Sequence, residues 1–129
     1  MRILGIDFGL RKIGLAISEG KLAEPLEVIR SKDLKTSKTI QKVTDICEKQ
    51  TVDKIVVGLP ESGIVNQVKR FGEALRRTTQ LPVVYQEETL TSQDAVVKMI
   101  EGGRSKKFRR QKEDAIAAAI ILQNYLEGN

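Results

Sequence analysis

Apolar and polar positions alternate along this chain with two different periods. Residues 2–7 (RILGID) form a short apolar run, and residues 12–18 (KIGLAIS) form a second, with Ile13, Leu15 and Ile17 at every other position. A period of two puts such residues on one face of a strand. The connection between the runs is short and contains glycine, which predicts an antiparallel hairpin. Residues 24–30 (EPLEVIR) predict a third strand. From residue 37 the period changes: Ile40, Val43, Ile46 and Cys47 recur at helical spacing and predict a helix over 37–49. Residues 53–59 (DKIVVGL) are β-branched and end at Gly58 and Pro60, which predicts a buried strand running into a loop. Ile64, Val68, Phe71 and Leu75 mark one face of a helix over 64–77, with Arg76 and Arg77 near its negative end. A strand over 81–86 (LPVVYQ) follows. The next helix, over 91–101, has Thr91 as its N-cap and Gly102-Gly103 as its stop. Last comes an alanine-rich helix over 113–126, whose small side chains allow close approach to a sheet.

Three strands in a meander, then strands alternating with helices, predict the α/β class: a mixed five-stranded sheet, antiparallel first and parallel afterwards, flanked by helices. At 129 residues the chain suits one domain spanning 1–129. Hydrophobic residues at 40% and charged residues at 30% fit a globular protein. No apolar run reaches the length of a membrane span, so no membrane association is expected. No signal-peptide pattern opens the chain. One cysteine, Cys47, falls on an apolar helix face and cannot form an internal disulfide, so a reducing, cytoplasmic setting is expected. Histidine is absent, which removes Ser-His-Asp catalysis and zinc sites built on histidine. The glycines lack dinucleotide-binding spacing, and there is no P-loop.

Charge adds a partner. Lysine and arginine number 22 against 17 acids, and the whole excess lies in one segment containing Arg104, Lys106, Lys107, Arg109, Arg110 and Lys112. Cations gathered in this way suit a polyanion, although a solvated basic loop would have the same composition. Arg11 and Lys12, in the first hairpin, extend the candidate nucleic-acid-binding set. Aromatic residues are only 4%, so recognition by shape is expected rather than by base stacking.

Three acids stand where acids are locally unexpected. Asp7 ends the first apolar strand. Glu88, with Glu87 before it, follows the strand LPVVYQ. Asp114 opens the last helix on a face of alanine and isoleucine. Each has an ordinary alternative: a turn residue, a solvated strand end, or an acid at the positive end of a helix. Brought together in a crevice at one sheet edge, three carboxylates would repel one another and resist desolvation, and a divalent cation would relieve both penalties. An all-oxygen set points to Mg²⁺ or Mn²⁺. Two such ions about 4 Å apart could serve phosphodiester displacement.

GIDFGLRKIGLAIS, AEPLEVI, DKIVVGLP, QEETLTS and DAIAAAIILQNYL, in that order over almost the whole chain, resemble the signatures of the YqgF/RuvX family. The resemblance implies an RNase H-like fold related to RuvC resolvases. It also implies a metal-dependent endonuclease, described for the family either as a Holliday junction resolvase or as a pre-16S rRNA nuclease. Carried over by position, the catalytic and metal-binding acids are Asp7, Glu88 and Asp114. This chain departs from the family pattern at Glu87, where Asp is usual, at Thr89, where Arg is usual, and in the shorter ESGIVNQ segment after Pro60.

The expected function is therefore a Mg²⁺- or Mn²⁺-dependent endonuclease acting on structured DNA or precursor rRNA. Symmetric cutting of two strands would call for a homodimer. The alternative is a non-catalytic nucleic-acid-binding factor in ribosome assembly or DNA repair, motivated by Thr89 and the short segment. A sugar-kinase-like ATPase also opens with strand, Asp-x-Gly and hairpin, but it needs paired domains that this length does not supply.

Overall fold

The computed structural model of the chain describes residues 1–30, 37–88 and 94–128. Its elements run β1 (Ile3–Phe8), β2 (Lys12–Ser18), β3 (Ala23–Arg30), α1 (Ser37–Lys49), β4 (Lys54–Leu59), α2 (Val65–Thr79), β5 (Val83–Glu87), α3 (Asp94–Glu101), α4 (Lys106–Gln111) and α5 (Glu113–Leu126). The five strands make one sheet in the order β3-β2-β1-β4-β5. β1 pairs antiparallel with β2, and β2 with β3, while β4 runs parallel to both β1 and β5. The mixed sheet expected from the hydrophobic pattern is the sheet observed.

Alternation along the strands divides the core between two faces. Leu4 and Ile6 of β1, Ile13 and Leu15 of β2, and Ile55 and Val57 of β4 pack with Val43 and Cys47 of α1 and Val68, Phe71 and Leu75 of α2. On the other face Ile3, Ala16 and Val56 meet Ile116, Ala118, Ala119, Ile121 and Leu122 of α5, with Ile100 of α3. The central strands are thus covered on both sides, and their sequences are nearly continuously apolar for that reason. β1 runs one residue further than expected because Phe8 packs on Phe71, with ring centroids 4.6 Å apart.

α5 is tied down at its far end. The Gln123 side chain accepts from the Ala23 N–H at 2.8 Å and donates to the Lys21 carbonyl at 3.0 Å, clamping the helix to the β2–β3 turn. Lys54 Nζ reaches the Tyr125 hydroxyl at 2.8 Å. These contacts between distant parts of the chain fix the last turns of the helix against the sheet.

The basic segment is a helix rather than a loop. Ser105 caps it by accepting from the Phe108 N–H at 3.0 Å. The Arg104 guanidinium stacks 4.6 Å from the centre of the Phe108 ring. Arg104 Nε also donates to the Ile100 carbonyl, and Arg109 pairs with Glu101 at 3.4 Å. Thr91, the expected cap of α3, lies outside the described residues, as does Thr89. Among the described residues no helix is long and apolar enough to cross a membrane.

Candidate active site

Asp7 is the next-to-last residue of β1 and, by alternation with Leu4 and Ile6, points to the α5 face. Its partner across β2 is Gly14. A Cβ built on Gly14 would lie 1.8 Å from the Asp114 carbonyl oxygen and 2.9 Å from the Ala115 nitrogen. Only a residue without a side chain lets the first turn of α5 rest on β2 here, and that contact carries Asp114 to the neighbourhood of Asp7.

The other flank is built the same way. Gly58 lies on β4, one residue past the last β1–β4 pair, Ile6 with Val57. A Cβ there would meet Glu88 Cγ and Oε1, both at 3.2 Å, and Ile121 Cδ1 at 2.6 Å. The Glu88 N–H donates to the Leu59 carbonyl at 3.0 Å, turning the chain back over β4 as β5 ends. Asp7 thus sits between two strands whose glycines make room for one acid each.

The electrostatic result is large. The Asp7 carboxyl is pushed from its ordinary 3.8 up to about 8, first by burial, then by the charge of Glu88, a hydrogen bond with Glu88 and the charge of Asp114. Every cause acts in the same direction, and no cation offsets them. Among the described residues no three carboxylate or thiol groups stand close enough together to chelate an ion as they are. Instead, the Asp7 carboxyl hydrogen-bonds with the Glu88 side chain. The donor chemistry nevertheless fits a hard divalent cation: every donor is oxygen, and the burial and like charges that raise Asp7 are the penalties a cation would relieve. Glu87, next along β5, is exposed.

The expected cations separate into two groups. Arg11 and Lys12 are exposed at the hairpin, which is closed by a 3.0 Å bond from the Gly9 N–H to the Lys12 carbonyl. Lys106, Lys107 and Arg110 are exposed on α4. Arg104 and Arg109 are held by Phe108, Ile100 and Glu101 and serve the packing of α4. A groove of about 410 Å³ runs between α4 and the start of α5, lined by Lys106, Arg110 and Glu113 among others. Sequence reasoning missed Gly14 and Gly58, whose role depends on neighbours remote in the chain.

Comparison with known proteins places this chain in a family. The family model described as "RuvX: Holliday junction resolvase" matches residues 1–128. A protein of Agathobacter rectalis named "Putative pre-16S rRNA nuclease" is 38% identical, with 98% of this chain and 95% of that protein covered. A Streptococcus suis protein of the same name is 39% identical, with 98% of each covered. Among solved structures, Thermus thermophilus RuvC in complex with a Holliday junction substrate superposes with a TM-score of 0.65 at 18% identity, covering 99% of this chain and 96% of that one. The fowlpox virus resolvase in complex with Holliday junction DNA gives 0.66 at 16% identity, covering 99% and 98%. These structural likenesses show the fold, the RNase H-like fold of the RuvC-type resolvases. With a family model spanning nearly every residue and full-length relatives near 38% identity, the chain belongs to the RuvX family of nucleases.

Proposed function

We propose that the chain is a divalent-metal-dependent endonuclease that hydrolyses phosphodiester bonds in structured nucleic acid. The observation that supports this reading is that Asp7 pairs with Glu88 beside Gly58 and feels the charge of Asp114, whose backbone rests on Gly14, in surroundings that leave Asp7 protonated up to about pH 8 unless a cation is present. Asp7, Glu88 and Asp114 would hold Mg²⁺ or Mn²⁺. When bound, the metal supplies a Lewis acid that lowers the proton affinity of a water molecule and stabilises charge on the departing oxygen. Asp7 must give up its proton to bind the ion, so proton and cation compete for one carboxylate. Arg11 and Lys12 lie just beyond Asp7 and would draw the phosphate backbone onto the sheet edge, with Lys106, Lys107 and Arg110 holding the polymer further out.

Two structured polyanions fit this chemistry: a four-way DNA junction, after the family description, and a precursor of 16S rRNA, after the names of the relatives. A free, buried thiol agrees with a cytoplasmic setting for either. The test is a cleavage assay with Mn²⁺ on a four-way junction and on a stem-loop RNA with a 5′ extension. Wild type should cut at least one of them. Asp7→Asn should lower cutting by roughly 100-fold or more while still binding. A wild type that binds both and cuts neither would point instead to a binding factor.

A further inference from the structure

Lys12 and Arg30 are opposite one another in the β2–β3 register. Alternation puts both on the α5 face, because Ile13 and Leu15 point the other way into the core with α1 and α2. Side chains opposite each other in an antiparallel pair have Cβ atoms about 5 Å apart, and like charges there are destabilising. Both residues are exposed. Among the described residues neither forms an ion pair with a carboxylate. Arg30 Nη2 donates to the Gln111 carbonyl at 3.3 Å, where α4 ends. This bond holds the guanidinium at the rim and leaves its remaining N–H groups free to grip an oxyanion.

The surroundings give this pair a direction. Lys12 is the same-face diagonal neighbour of Asp7, roughly 7–8 Å away by sheet geometry. Arg30 lies one strand further out, and Arg110 beyond it on α4. On the opposite flank of Asp7, the chain around the ends of β4 and β5 carries Glu61, Glu87 and Glu88, with no lysine or arginine in residues 59–64 or 81–88. Among the described residues around these strand ends, the cations border the acids on the β2–β3 side.

We infer that Lys12 and Arg30 form a seat for a backbone phosphate adjacent to the scissile one, and that the nucleic acid leaves Asp7 across β2 and β3 toward α4. The inference deepens the nuclease reading and rests on it for the position of the scissile phosphate. A like-charged pair of this kind is tolerated because its ligand is an anion.

The experiment measures binding rather than cutting. Fluorescence anisotropy with a four-way DNA junction and with the stem-loop RNA, in chelator, gives the slope of log K against log salt from 50 to 200 mM KCl. The double variant Lys12→Gln/Arg30→Gln should be flatter than wild type by about 1–2 units on the DNA junction and on the stem-loop RNA. Lys42→Gln, on α1 and the opposite face of the sheet, should leave the slope unchanged. A double variant with the wild-type slope, or a Lys42→Gln effect of equal size, overturns the seat. Loss of the Gln111 bond could loosen α4, so Arg30→Lys is measured as well. The wild-type slope in Arg30→Lys supports a role for the charge. A flattened slope there shows that Arg30 is a tether and overturns the seat. These outcomes are independent of cleavage, so wild type can bind both probes and cut neither, and sink the nuclease reading, while the slopes stand. A wild type that binds neither probe sinks both.

Discussion

Asp7 is a carboxylate that the fold keeps from ionising. Its folded value of about 8 lies above the 3.8 expected for an unfolded chain, so the folded state holds the proton more tightly. The associated stability is fully present below about pH 3.8 and is lost as pH rises through 8. In chelator, Asp7→Asn should therefore gain on wild type from pH 5 to pH 8 and hold a constant lead above that, on the order of 5 kcal/mol. Urea denaturation at pH 5, 7 and 9 measures this, and parallel pH curves for the two proteins would show that Asp7 is not strained. Adding Mn²⁺ should then reverse the order, because ligand binding stabilises only the chain that can bind. The raised value also explains why a buried strand ends on an acid: an isolated ionised group would be costly there, whereas a proton or a cation makes the position tolerable.

At the level of elements, the seating of α5 decides whether the acids meet. Gly14→Ala would drive a methyl group into the helix backbone, which cannot yield without lifting the first turn. It should cost about 1–3 kcal/mol or more and separate Asp114 from Asp7. Gly58→Ala meets side-chain atoms of Ile121 and Glu88 rather than backbone, so it should cost less stability but still reduce cutting by displacing Glu88. Melting curves and cleavage rates of the two variants distinguish these effects, and equal losses of stability would contradict this account of the two contacts. The strands and most helices were legible because each follows from a local period. Asp7 was legible as an acid closing an apolar strand. Its partners 81 and 107 positions away were not tied to it by local pattern, and the family signatures supplied that link. The glycines were visible but mute, since what they accommodate comes from elsewhere in the chain. The helix α4 was hidden by its charge. Phe108, the one aromatic among six cations, was the clue that the segment packs, and Ser105 was the clue that it is capped.

At the scale of the whole molecule, the basic segment does two jobs. Lys106, Lys107 and Arg110 face solvent, whereas Arg104 and Arg109 hold α4 in place. Replacing the first three with glutamine should flatten the salt dependence of DNA binding by about 2–3 units with little change in melting temperature. Replacing Arg104 and Arg109 with alanine should lower the melting temperature by a few degrees and change the slope less. The same slope change in both sets would erase the distinction. The imbalance of charge read from the composition thus becomes an imbalance in space, with acids at the centre of one sheet edge and cations along one border of it.

Cys47 lies on the far side of the sheet from that edge, sealed between α1 and the strands at 4% exposure, its thiol pushed by burial up to about 11. Folded copies therefore have no surface thiol through which oxidation could join them. A cysteine introduced at any outward position would be the sole reactive handle, and a dye or spin label attached there would report from that position alone, with the native residue left in place.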